Sequence, residues 1–240
     1  MLLLLLAFLL SPGAVTEEII GGHEAKCRPH PYMALVKFLT KDSWKRCGGI
    51  LVWRDFVLTA THCWGSSITV TLGAHNISKP ESTQQVINVN RAFRHPDYNS
   101  KNLSNDIMLL KLVRRKLTAV KPLSLPSPRQ MRPGQVCSVA SWGMVVMGTL
   151  ATTLQEVHLT VQKKQMCEFQ GFYSRDTQIC VGDQNKMKSS FKGDSGGSLV
   201  CGDTAQGIFT YGQRNGTPPG VFIKISSLLP WVRRTMRHPL

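Results

Sequence analysis

Phe191-Lys192-Gly193-Asp194-Ser195-Gly196-Gly197-Ser198-Leu199-Val200 is the stretch that decides the reading of this chain. At roughly 5–7% per residue type, its central Gly-Asp-Ser-Gly-Gly arises by chance in a chain of this length with a probability on the order of 10⁻⁴. An incidental Gly-rich turn is therefore the poorer explanation. Glycines adopt backbone conformations that disfavour a side chain, so such a loop can aim N–H groups at an oxygen on which negative charge develops beside a serine.

A serine hydroxyl is a weak nucleophile. It needs a base within hydrogen-bond reach and a carboxylate that fixes the tautomer of that base. Leu58-Thr59-Ala60-Thr61-His62-Cys63 supplies a histidine after a strand-like run, and Asn105-Asp106-Ile107-Met108-Leu109-Leu110 places an acid at the head of an apolar run. A lone His or Asp is more often structural. The order His62, Asp106, Ser195 in three such contexts reverses that weighting.

These residues, with Ile19-Ile20-Gly21-Gly22-His23-Glu24-Ala25, Pro31-Tyr32-Met33-Ala34, Cys47-Gly48-Gly49-Ile50-Leu51-Val52 and Pro218-Pro219-Gly220-Val221-Phe222, resemble the chymotrypsin-like serine proteases. Within that family the motifs are similar to the granzyme, cathepsin G and mast-cell chymase branch, and the likeness covers residues 19–240. It implies an all-β fold of two antiparallel β-barrels, about residues 19–120 and 121–240, with a C-terminal α-helix. It also implies a serine endopeptidase acting on protein substrates. His62 would be the base, Asp106 its orienting acid, Ser195 the nucleophile, and the N–H groups of Gly193 and Ser195 the oxyanion hole. Three disulfides follow from the resemblance: Cys47 with Cys63, Cys137 with Cys201, and Cys167 with Cys180. Cys27 is left over, and two readings stay open for it: a buried or capped thiol in a monomer, or an intermolecular bridge giving a Cys27-linked dimer.

The resemblance also assigns activation and specificity. A free α-ammonium at Ile19 would fold inward onto Asp194 and shape the oxyanion hole. The residues before Ile19 are Glu17-Glu18, with no Lys or Arg ahead of them, which fits removal of an acidic dipeptide rather than tryptic activation. The pocket for the side chain before the cut would be walled by Ser189, Ser190, Thr210, Tyr211, Gly212 and Gly220. Without a charged side chain at Ser189 or Gly220, such a pocket favours Phe, Tyr, Leu or Met. Four positions depart from the family pattern: Thr61, Ser141, Ser198 and Thr210. Thr210 retains a hydroxyl, and the other three are expected to strain packed sites.

Composition and compartment agree with a secreted protein. Met1 to Leu10 is almost wholly apolar and is followed by Ser11-Pro12-Gly13-Ala14; it is too short to span a bilayer, so residues 1–16 read as a signal peptide and 17–18 as an activation dipeptide. Runs such as Ile68–Leu72, Gln85–Val89 and Glu156–Val161, separated by Gly, Pro, Asn and Ser, read as antiparallel strands. Ser226 to Met236 reads as one helix with a serine cap and a basic end, and residues 120–128 as the crossover between barrels.

The net charge is +15, and removing Glu17 and Glu18 takes it to +17. Such an excess points to acidic company, with Arg114-Arg115-Lys116, Lys163-Lys164 and Arg233-Arg234 with Arg237 as candidates for sulfated proteoglycan. No motif for reading nucleic acid is present. Cofactors and metals are not expected, since no Cys or His group has ligand spacing. The resemblance adds serpin-type inhibitors as partners, and cytolytic granules and the extracellular space as locations. Asn76-Ile77-Ser78 and Asn102-Leu103-Ser104 are glycosylation sequons; Asn215-Gly216-Thr217 is a third, weakened by Pro218. The competing class is a catalytically weakened cationic homologue that acts by binding glycans or microbial surfaces.

Overall fold

The computed structural model describes residues 22–26, 30–114, 116–127, 131–143, 149–182, 195–213 and 217–238. Its strands are β1 (His23–Glu24), β2 (Met33–Leu39), β3 (Trp44–Trp53), β4 (Phe56–Thr59), β5 (Ile68–Leu72), β6 (Gln85–Arg94), β7 (Met108–Leu112), β8 (Val136–Ser141), β9 (Gln155–Thr160), β10 (Gln178–Val181), β11 (Ser198–Val200), β12 (Ala205–Tyr211) and β13 (Gly220–Lys224). Among the described residues a single α-helix, α1, spans Leu229–Arg237.

Two antiparallel sheets share these strands. The first closes on itself in the order β2-β3-β4-β7-β6-β5, so none of its backbone edges is left open. The second is seven-stranded, in the order β1-β9-β8-β11-β12-β13-β10, and its flanks are drawn together by an isolated bridge from Val161 to Val181. Fold class is therefore as the sequence implies, with the second barrel joined on one side by a bridge rather than a full ladder.

Leu35 and Val36 on β2, with the β-branched and Leu side chains of β4 and β7, are almost wholly buried and fill the closed barrel. A separate cluster of Val139, Val157, Leu159, Ile179, Leu199, Phe209 and Phe222 fills the second sheet. The crossover touches both: the Leu123 N–H donates to Leu51 O at 2.8 Å, while Ser124 O accepts from the Ala205 N–H at 3.0 Å. Disulfides join Cys47 to Cys63, Cys137 to Cys201 and Cys167 to Cys180.

The helix differs from the sequence reading at its start. No serine caps α1, whose preceding residue is Leu228; Pro230 sits in its first turn, where a missing N–H costs nothing. Ile225–Leu228 form a 3₁₀ turn instead, and the Ser227 hydroxyl closes it by donating to Lys224 O at 2.7 Å. Trp231 and Val232 bury the inner face of α1, while Arg233, Arg234 and Arg237 stand in solvent.

Candidate active site

His62 rides on a 3₁₀ turn, Thr61–Cys63, that follows β4 directly. The turn is fixed three ways. Cys63 is bonded to Cys47 on β3, the Thr61 hydroxyl donates to Ile107 O at 2.7 Å, and the His62 N–H donates to Asp106 Oδ1 at 3.0 Å. Asp106 stands just ahead of β7 and is fully buried. Before it, Asn105 takes a positive φ of 52°, a conformation asparagine tolerates, and its side chain donates to Asp97 O.

Three donors converge on the Asp106 carboxylate. Besides the His62 N–H, His62 Nδ1 lies 2.6 Å from Oδ2, and the Thr210 hydroxyl donates to the same oxygen at 2.6 Å. A carboxylate against Nδ1 requires that nitrogen to carry the proton, which leaves Nε2 as the acceptor. The imidazole keeps 27% of its side chain exposed, so its far edge is open to a reacting group.

Ser195 is held by both sheets. The Gly48 N–H on β3 donates to Ser195 O at 2.7 Å. On the other side the Gly196 N–H donates to Phe209 O at 3.0 Å, and the Phe209 N–H donates back to Gly197 O at 3.0 Å. Glycine at 196 is required twice over: its φ is +74°, and a Cβ would stand 2.4 Å from both Gly48 O and Thr59 Oγ1. Thr59 itself donates to Gly48 O at 2.8 Å. Gly48 and Thr59 are thus the buttress of the Ser195 loop. Both fall within sequence motifs, but this role is not legible there, because the partners are remote in the chain.

The departures from the family pattern separate once their surroundings are seen. Thr61 is buried, and its hydroxyl has an acceptor in Ile107 O. Ser198 is fully buried and meets the Met33 sulfur at 3.3 Å. Ser141 is fully buried, and its hydroxyl has no hydrogen-bond partner among the described residues.

Of the remaining expected site residues, Thr210 is buried, Tyr211 and Gly212 are half-buried, and Gly220 is buried at the start of β13. A Cβ on Gly220 would lie 3.0 Å from Phe209 Cε2, beside the Phe209–Phe222 ring pair. Ile19, Cys27, Ser189, Ser190, Gly193 and Asp194 lie outside the described residues. Asn76 and Asn102 sit half-buried in turns where each carboxamide oxygen accepts the N–H two residues on. Cys47, His62 and Cys63 place possible metal-ligand atoms within 4.8 Å of one another, but the two sulfurs are bonded at 2.02 Å and offer no thiolate.

Comparison with known proteins agrees with this geometry. The family model described as Trypsin matches residues 19–232. The chain is 67% identical to human granzyme H over 98% of both sequences. It is 55% identical to human granzyme B, covering 99% of this chain and 98% of the relative, and 53% identical to human cathepsin G, covering 98% and 94%. A solved structure of a protein called GrC superposes with a TM-score of 0.88 at 53% identity, covering 92% of this chain and all of that one. The chain belongs to the trypsin family of serine endopeptidases, in the branch that holds the granzymes and cathepsin G.

Proposed function

We propose that this is a secreted, granule-stored endopeptidase with a chymotrypsin-like preference, acting in a granzyme role on proteins of target cells. The observation that carries the catalytic part is the buried Asp106 carboxylate, which receives His62 Nδ1 and the Thr210 hydroxyl on one oxygen. With Nδ1 protonated and fixed, Nε2 of His62 takes the Ser195 proton as Oγ attacks the scissile carbonyl, and returns it to the leaving amine. The negative charge on the tetrahedral oxygen is met by the N–H groups of Gly193 and Ser195. Water then repeats the sequence on the acyl-enzyme. The hydrogen bond of the buried Thr61 hydroxyl counts against the competing reading, a weakened cationic homologue.

Specificity follows from side-chain chemistry. Ser189 and Gly220 bring no charge to the pocket base, and Phe209 and Phe222 lie next to Gly220. An apolar, uncharged recess gains roughly 1.5–3 kcal/mol from burying an aromatic or long aliphatic side chain. Activation belongs to the same proposal. Released by loss of Glu17-Glu18, Ile19 pairs with Asp194, and the chain just after it is already docked: His23 and Glu24 pair with β9, and Glu24 lies 2.8 Å from His75. Sulfated proteoglycan is the proposed storage partner, for which Lys163, Lys164, Arg233, Arg234 and Arg237 are exposed. Asn76 and Asn102 are the proposed glycosylation sites.

A peptide-library cleavage profile, run on protein beginning at Ile19 and on protein beginning at Glu17, tests these points together. We expect cleavage after Phe, Tyr, Leu or Met by the first and near silence from the second. More efficient cleavage after Asp or Arg would contradict the pocket, and equal rates from both forms would contradict the activation scheme.

A further inference from the structure

Tyr211 ends β12, and its hydroxyl donates to Gln178 Oε1 at 3.2 Å. In the sheet β12 is separated from β10 by β13, so the carboxamide of Gln178 reaches past one strand to meet it. The same oxygen accepts the Ser174 N–H at 2.9 Å, and the Tyr173 hydroxyl donates to the Gln178 carbonyl at 3.4 Å. The Phe172 ring lies 5.4 Å from that of Tyr211. A backbone N–H can only donate, so Ser174 fixes which end of the amide is oxygen. Desolvation pushes the Tyr211 phenol above its ordinary value, against the Gln178 hydrogen bond, so the hydroxyl remains a donor at physiological pH.

The other end of this amide is informative. Gln178 is only 3% exposed, and its Nε2 has no partner among the described residues. A buried amide donor left unpaired is destabilising. Methionine has a similar length but would leave the Ser174 N–H and the Tyr211 hydroxyl without this acceptor, so the contribution of glutamine here lies at its oxygen. What the residue provides is one oxygen that ties Tyr211 to the segment Phe172–Ser174.

We propose that Gln178 is a positioning residue for substrate binding, which holds the Tyr211 ring through its carboxamide oxygen and so sets one wall of the pocket for the side chain before the cut. This rests on the proposed reading of Tyr211 and Gly212 as walls of that pocket. Releasing the hydroxyl frees the ring to change rotamer, and ordering it again opposes binding of that side chain. The acyl-transfer groups, held by Asp106 and Gly48, are untouched. The effect therefore falls on KM, with kcat little changed.

The test compares Gln178→Met, Tyr211→Phe, the double variant and Gln178→Glu. Substrates are a tetrapeptide amide and a single-residue ester sharing the same residue before the cut. Gln178→Met and Tyr211→Phe should each raise KM for the tetrapeptide about three- to tenfold, the range of one hydrogen bond. The double variant should be no worse than either single change, because both remove the same link. Gln178→Glu keeps an acceptor oxygen whether or not it is protonated, and should return KM to within about twofold of the parent. KM for the ester, whose side chain enters the same pocket, should rise in step with that of the tetrapeptide, while kcat on both stays within about twofold of the parent. Additive effects, failure of Gln178→Glu to rescue, or an unchanged tetrapeptide KM in Tyr211→Phe would each overturn the proposal. A Tyr211→Ala control separates the two layers. If it leaves the tetrapeptide KM unaltered, the wall reading itself fails and the proposal with it. If it raises KM while Gln178→Met does not, only the link through Gln178 fails.

Discussion

Thr210 Oγ1 lies 2.6 Å from Asp106 Oδ2, the oxygen that also faces His62 Nδ1. Thr210 belongs to the second sheet, and Asp106 precedes β7 of the closed barrel, so this bond joins the two halves of the molecule at the carboxylate. A hydrogen bond to a charged group contributes about 1.5–3 kcal/mol. Thr210→Val, which keeps the shape, should lower kcat/KM by about tenfold or more, whereas Thr210→Ser should stay near the parent. Equal activity of the valine and serine variants would show that the third donor is dispensable.

Gly196→Ala should be far more damaging than its size suggests. The new methyl would meet Gly48 O and Thr59 Oγ1 at 2.4 Å, at a φ of +74° that alanine disfavours. Backbone atoms cannot yield as a flexible side chain can, so the Ser195 loop must move away from β3. Because a misplacement of about 1 Å can cost roughly a hundredfold in rate, hydrolysis of peptide amides should fall at least that far. A variant with near-parental kcat would show that the Gly48–Ser195 contact does not govern the nucleophile.

The Ser141 hydroxyl is buried without a partner among the described residues. An unsatisfied buried polar group costs about 1–3 kcal/mol, so Ser141→Ala should stabilise by about 1 kcal/mol. For a domain of this size that is a rise of about 2–4 °C in melting temperature, readable by calorimetry. A fall would mean that the hydroxyl is satisfied in solution.

Glu81 closes the loop after β5 by accepting the N–H groups of His75 and Asn76 at 2.7 and 2.9 Å. Burial pushes its carboxyl up, but those donors, Gln84 and the charge of His75 outweigh it and hold it below the ordinary value of 4.5. A carboxyl depressed in the fold contributes stability that is present above its unfolded value and lost as pH falls through the folded one. Glu81→Gln should therefore be less stable than the parent at neutral pH, and the two should converge as pH drops below 4.5. Urea melts across that range check it; curves that stay parallel would remove Glu81 from the acid response.

Local pattern carried the reading of the fold wherever one face of a strand is buried. Ile68–Leu72 was expected as a strand and is β5. β6 continues past Val89 to Arg94 because its polar end pairs with β7 across a bulge between Val89 and Arg91, which no alternation of residue types announces. The serines before α1 look like caps, yet Pro230 in the first turn and the 3₁₀ turn ahead of it move the helix start to Leu229. In the site, motif order pointed to His62, Asp106 and Ser195, whereas the acceptor for Thr61 lies 46 residues away and the partner of Tyr211 is 33 residues away. Contacts of that range depend on strand register, which is a property of the folded sheet.

We propose Ser195 as a nucleophile activated by His62 and oriented through Asp106. Covalent labelling with a fluorophosphonate, on protein beginning at Ile19 and analysed by peptide mass spectrometry, tests it most directly. Stoichiometric modification of Ser195 is expected, lost in Ser195→Ala and strongly slowed in His62→Ala. Folded, correctly processed protein that leaves Ser195 unlabelled, or a His62→Ala variant that labels at the parental rate, would contradict it.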